Sequence, residues 1–126
     1  MSTMPTISEA ESVVMEVLWR ASPLATEDVV AALSGKQEWQ ESTVKTLLNR
    51  LLNKGVINAE RDGRRYLYSP VMKREEWLSH ESEGLLERLF GGRVAPLVAH
   101  FSNHKKLTKK DLADLKRLIE EIEDGR

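Results

Sequence analysis

Around Gly55 the chain changes its hydrophobic period from 3.6 to 2 across a single residue, which sets a helix directly before a strand. Before it, Val44, Leu47, Leu48, Leu51 and Leu52 recur on one helical face, which predicts a helix from Gln40 or Glu41 to Lys54. Gly55 stands where helices end in a left-handed residue. After it, Val56–Arg61 is a candidate strand and Arg65–Ser69 the return strand, closed by Pro70. Asp62-Gly63 is the expected turn pair, with glycine supplying a positive φ without steric cost.

Two shorter helices are expected upstream. Ser8-Glu9-Ala10-Glu11 is a capping box, and Val14, Val17, Leu18 and Ala21 follow at helical spacing until Ser22-Pro23. Thr26 is expected to cap a second helix, with Glu27 and Asp28 near its positive end and Gly35 as its stop. Three short helices and then a hairpin is the element order of a winged helix-turn-helix. The fold class expected is therefore mostly α with one small β-hairpin.

The remainder of the chain predicts helices over Lys73–Phe90, Val94–Phe101 and from Thr108 onward, where Thr108 and Asp111 form another capping pair. Their apolar seams comprise Trp77, Leu78, Leu85, Leu89, Leu97, Phe101, Leu112, Leu115, Ile119 and Ile122. The winged part, residues 1–72, closes its own small core. The helices of 73–126 are too few and short to close another alone. A homodimer through this region would bury both sets of seams, and twofold dimers are the commonest closed assembly.

The outer face of the third helix carries Ser42, Thr46, Asn49, Arg50 and Asn53, flanked by Thr43 and Lys45. A helix needing only solubility takes Glu and Lys outside, whereas these short hydrogen-bonding and basic groups suit base edges and phosphates in a major groove. Arg50 matches a guanine edge and Asn49 an adenine. Thr43, Thr46 and Lys45 suit phosphates or a thymine methyl. At the hairpin tip Arg64 and Arg65 suit a phosphate or the minor groove, and Tyr66 adds a hydroxyl. The net charge of −1 hides a gradient that supports this reading: residues 1–35 carry one base and five acids, residues 36–70 seven bases and four acids. The alternative is a solvated face, or a winged module docking an acidic protein; retention of duplex DNA at physiological salt separates the two.

Other chemistries find little support. With no cysteine, disulfides, thiolate metal sites and cysteine nucleophiles are excluded. His100 and His104 have ligand spacing, but the polar stretch from Ser102 is expected to break the helix between them, and no metal or other cofactor is expected. Trp19 and Trp39 read as packing residues, and Trp77 as an interface or interdomain anchor. No catalytic set or Gly-rich phosphate loop occurs, so an enzyme is not expected. No apolar run approaches a membrane span, the first residues lack a secretory signal, and a cytoplasmic protein is expected.

The motifs Ser8-x-x-Glu11 with V-M-x-V-L-W (14–19), W-x-x-x-T-V-K-T-L-L-x-R-L-x-x-K-G-V-I (39–57) and Tyr66-x-Tyr68 resemble the penicillinase-repressor (BlaI/MecI/CopY) family of winged-helix regulators. L-V-x-x-F (97–101) and L-T-x-x-D-L-x-x-L-x-x-L-I (107–119) extend the resemblance over nearly the whole chain. It implies a dimeric repressor on a palindromic operator of double-stranded DNA, controlling β-lactamase or related cell-envelope genes. Thr43, Lys45, Thr46 and Arg50 match the family's contact positions, Asp62–Tyr66 its wing, and the helices after residue 73 its dimerisation region.

Three departures stand out. The copper branch senses metal through a C-terminal cysteine cluster, which is absent here. The β-lactamase branch implies a membrane-sensor-linked protease that cuts an Asn-Phe bond, and the matching pair here is His100-Phe101. The family's Ser-Pro at the start of the reading helix is Gln40-Glu41, which weakens that cap by about 1 kcal/mol.

Overall fold

A computed structural model describes residues 4–125. The elements run α1 (Glu9–Arg20), α2 (Thr26–Leu33), α3 (Glu41–Asn53), β1 (Ile57–Asp62), β2 (Arg65–Pro70), α4 (Arg74–Phe90), α5 (Val94–Asn103) and α6 (Lys109–Asp124). The first three helices and the antiparallel hairpin form a winged helix-turn-helix, and the chain divides into two compact units between His80 and Glu81. Among the described residues no helix is long and apolar enough to cross a membrane.

The core of the first unit is made by the apolar stripes of its helices. Val14, Met15 and Leu18 of α1, Val29 of α2, and Val44, Leu48 and Leu51 of α3 are fully buried, joined by Ile57 and Tyr68 of the hairpin. Side chains buried this deeply contribute about 1.5–3 kcal/mol each relative to exposure. Helix α1 starts as its capping box predicts: Ser8 Oγ accepts from Glu11 N at 3.1 Å, and the Glu11 carboxylate accepts from Ser8 N at 2.8 Å. Thr26 is the first residue of helix α2 and not its cap. Ala25 occupies the N-cap without a side-chain acceptor, and the Asp28 carboxylate reaches back to Ala25 N at 3.0 Å, so an acid inside the helix does the capping.

The end of α3 follows from its glycine. Gly55 takes φ +75°, and the amides of Gly55 and Val56 donate back to Leu52 and Leu51 carbonyls at 3.0 and 3.2 Å. This Schellman turn reverses the chain and delivers buried Val56 and Ile57 into the core at the start of the hairpin.

The turn lies one residue later than expected. Asp62 pairs with Arg65, so the two loop residues are Gly63 and Arg64, with Gly63 at φ +65° as the first. A positive φ at the first loop position alone is the type II′ pattern, whose twist matches the strands. Leu24 adds a contact that the sequence did not announce, exchanging backbone hydrogen bonds with Tyr68 at 2.7 and 3.1 Å and tying the approach to α2 onto β2.

The first turns of α4 belong to the winged unit, so that unit extends beyond the 72/73 boundary read from the sequence. Trp77 lies on Trp19 with ring centroids 5.3 Å apart, and Trp19 Nε1 donates to the Met72 carbonyl at 2.8 Å. Arg74 grips Glu16 through two hydrogen bonds of 2.8 and 3.3 Å. Trp77 is thus packed against its own winged unit.

The second unit is open. None of the described residues of α5 and α6 is buried, and Leu89, Ile119 and Ile122 are 60%, 55% and 57% exposed. An apolar groove of about 420 Å3 runs between α5 and α6, lined by Leu97, Val98, Phe101, Leu107, Leu115 and Leu118 among others. Helix α5 reaches Asn103, past the expected end at Phe101. No glycine signals its stop: Lys105 adopts φ +57°, and Lys106 N closes the turn onto the Phe101 carbonyl at 2.8 Å. His104, at the C-cap, therefore stays beside His100, with ring centroids 4.3 Å apart and His104 Nδ1 2.9 Å from the His100 carbonyl. The helix does end between the two histidines, at Asn103, but the C-cap turn keeps their rings together. Among the described residues no cluster of three or more metal-ligating side chains is present.

Candidate nucleic-acid interface

Because Val44, Leu47, Leu48 and Leu51 turn into the core, helical geometry leaves Ser42, Thr43, Lys45, Thr46, Asn49 and Arg50 exposed on the opposite face of α3. Lys45 and Arg50 form no ion pair among the described residues, so both charges face solvent unneutralised. Thr46 Oγ1 donates to the Ser42 carbonyl at 2.9 Å, which leaves its oxygen free as an acceptor. Asn49 and Arg50, both exposed, carry planar groups that can bond bidentately.

The far end of this helix is tied to α1 and to the chain before it. Lys54, the α3 C-cap, donates to the Thr6 carbonyl at 2.6 Å and to the carboxylate of Glu11, which is only 2% exposed. Burial alone would push the Glu11 carboxyl up. The Lys54 hydrogen bond and charge, together with the Ser8 amide and hydroxyl, outweigh it and hold its pKa below the ordinary carboxylate range. The pair pins the last turn of α3 to the first turn of α1. It went unforeseen because the partners lie 43 residues apart.

The hairpin lies beside the same face. Thr26, Glu27, Glu41, Lys45, Arg64, Arg65, Tyr66 and Tyr68 together line a polar recess of about 280 Å3 where α2, α3 and the wing converge. The two tip arginines differ. Arg64 is exposed and unpaired among the described residues, whereas Arg65 bonds Glu27 at 3.2 Å and lies 3.5 Å from Asp62. The Glu27 hydrogen bond, reinforced by both carboxylate charges, raises the Arg65 pKa further above its ordinary value. Arg61 is a wing cation that the sequence reading passed over. Its guanidinium lies 6.0 Å from the centroid of the Tyr66 ring, its register partner, and its Nε donates to the Gly63 carbonyl at 3.1 Å. The signal becomes visible only once the turn is placed at Gly63-Arg64, since that register sets Arg61 opposite Tyr66.

The apolar residues expected to dimerise divide between the units. Trp77 is engaged with Trp19, Leu78 is exposed at the end of the first unit, and Leu85, Leu89, Leu97, Phe101, Leu112, Leu115, Ile119 and Ile122 belong to the second. The His100-Phe101 bond lies inside α5, with both side chains exposed.

A helix with an exposed hydrogen-bonding face, held at its far end and flanked by a basic hairpin, defines a winged helix-turn-helix of the DNA-binding kind. The family model for penicillinase repressors matches residues 7–121. The penicillinase repressor of Bacillus licheniformis is 31% identical over 121 residues, covering 96% of this chain and 94% of that protein. The solution structure of the DNA-binding domain of the repressor BlaI is 37% identical with a TM-score of 0.53, covering 60% of this chain and 93% of that one. Monomeric B. licheniformis BlaI in complex with the blaP half-operator is likewise 37% identical over the same shares, with a TM-score of 0.51. The chain belongs to the penicillinase-repressor family and is a DNA-binding transcriptional repressor.

Proposed function

We propose that this repressor works in the cytoplasm as a homodimer on a palindromic operator, controlling β-lactamase or related cell-envelope genes by occupancy and without catalysis. Each α3 enters a major groove. Arg50 and Asn49 read base edges, Ser42, Thr43, Lys45 and Thr46 hold phosphates and methyl groups, and the wing tip with Tyr66 reaches the flanking backbone. The observation that carries the reading is the exposed polar face of α3, with Lys45 and Arg50 both unneutralised. The likeness to a repressor bound to its half-operator supports it.

The second unit supports the dimer, because its exposed leucines and isoleucines and its apolar groove find no cover within one chain. For a membrane-sensor-linked protease to cut His100-Phe101, α5 has to unwind locally, so cutting and loss of dimer contacts are coupled. Sedimentation equilibrium, together with duplex retention at about 150 mM salt, tests both parts. A dimer that retains duplex DNA is expected. A monomer contradicts the assembly, and a dimer that releases all duplexes contradicts the interface.

A further inference from the structure

The wing presents two adjacent arginines, yet the fold treats them differently. Arg64 sits in the loop with no carboxylate partner among the described residues. Arg65 sits on β2 opposite Asp62, and its guanidinium meets two acids, Glu27 of α2 at 3.2 Å and Asp62 at 3.5 Å. The backbone bridge between Leu24 and Tyr68 fixes the approach to α2 beside the hairpin, so the first turn of α2 is held where Glu27 reaches Arg65. Glu27 also lies at the positive end of its helix, where a carboxylate is favoured without any partner.

We propose that Glu27 sets the sequence-independent affinity of the DNA interface: it holds Arg65 against α2, keeps that cation off the phosphates, and leaves the wing's phosphate contact to Arg64. This rests on the DNA-binding reading above. Affinity for any duplex grows with the number of phosphates neutralised, whereas discrimination comes from base edges read by α3. A cation withdrawn from the backbone therefore lowers binding to all sequences and leaves base readout intact. Glu27 lets the wing keep its shape with one arginine contributing to sequence-independent binding. The pair is exposed, 50% at Arg65 and 59% at Glu27, so solvent and salt reach it and its balance against phosphate can be read in solution.

The test uses the full-length chain and the variants Glu27→Gln, Arg65→Ala, Arg64→Ala and Glu27→Gln/Arg65→Ala, with melting curves to confirm folding. Affinity is measured against salt on a mixed-sequence duplex and on a duplex enriched from genomic fragments by the wild-type protein. Arg64→Ala lowers the salt slope by about one, and Arg65→Ala leaves it unchanged. Glu27→Gln raises it by about one and tightens binding to the enriched and mixed duplexes by about the same factor. The double variant behaves as Arg65→Ala. A slope that falls by about one in Arg65→Ala with Glu27 present, or one unmoved by Glu27→Gln, overturns the assignment and leaves DNA binding standing. A wild-type protein that retains neither duplex overturns the DNA reading itself, and this assignment with it.

Discussion

Replacing Glu11 with Gln tests whether α3 is held by a buried ion pair or merely by its apolar stripe. Glutamine keeps nearly the same shape, so the core around α1 is not emptied. What changes is the charge. The wild-type carboxylate accepts from Ser8 N and from the Lys54 ammonium, which also donates to the Thr6 carbonyl at 2.6 Å, and a glutamine carbonyl keeps the acceptor but not the charge. A hydrogen bond to a charged group contributes about 1.5–3 kcal/mol, and the neutral amide recovers part of it. Lys54 is 33% exposed, so water compensates part of the remainder, and a net loss of about 2 kcal/mol is expected near neutral pH.

The sign of the pH dependence follows from the lowered Glu11 pKa. A carboxyl held below its unfolded value stabilises the fold fully above about pH 4.3. That contribution is lost as pH falls through the folded value, so the gap between wild type and Glu11→Gln closes on acidification. Urea unfolding followed by the fluorescence of Trp19, Trp39 and Trp77 reads the winged unit directly. Protein concentration is held constant, because the proposed dimer would link it to apparent stability. A variant within about 0.5 kcal/mol of wild type near neutral pH, with a gap that acid does not close, would refute the reasoning.

Further outcomes concern the interface and its support. Arg50→Ala is expected to cost about 1–3 kcal/mol on the enriched duplex and relax one base position, as read by binding to a library of single-base variants. Lys45→Ala is expected to weaken all duplexes about equally and lower the salt slope by about one, whereas an unchanged slope would remove it from the phosphate contacts. Gln40→Ser is expected to stabilise α3 by about 1 kcal/mol in thermal melts, because Gln40 has extended N-cap geometry but no side-chain cap bond. Ile119→Glu is expected to shift the chain toward monomer in sedimentation while leaving the melting of the winged unit in place.

The features legible in the sequence were local ones. The capping pairs Ser8–Glu11 and Thr108–Asp111 need only three residues of separation, and both form. The polar face of α3 and its stop at Gly55 follow from helical period and from one glycine. What could not be read depends on partners that tertiary packing selects. Arg65 and Glu27 are 38 residues apart, and nothing in a run of two arginines says which will be neutralised. The turn slipped by one residue because Asp-Gly is a strong local signal, whereas the register is decided by which side chains the core accepts, Ile57 and Tyr68 among them. Trp77 returned to its own unit because Trp19 offers it a ring to pack on, which no helical wheel shows. Helix α5 outran its predicted end because a lysine took the left-handed position that sequence rules reserve for glycine.

The proposed function depends most directly on what the exposed face of α3 binds. Sequencing the genomic fragments retained by the purified protein at physiological salt measures this without prior choice of target. Enrichment of a palindrome upstream of a β-lactamase or another cell-envelope gene is the predicted result, with the base preferences inside each half-site weakened by Arg50→Ala. Retained fragments that share no sequence, or none retained at all, would contradict it, and would assign the exposed face of α3 to a partner other than operator DNA.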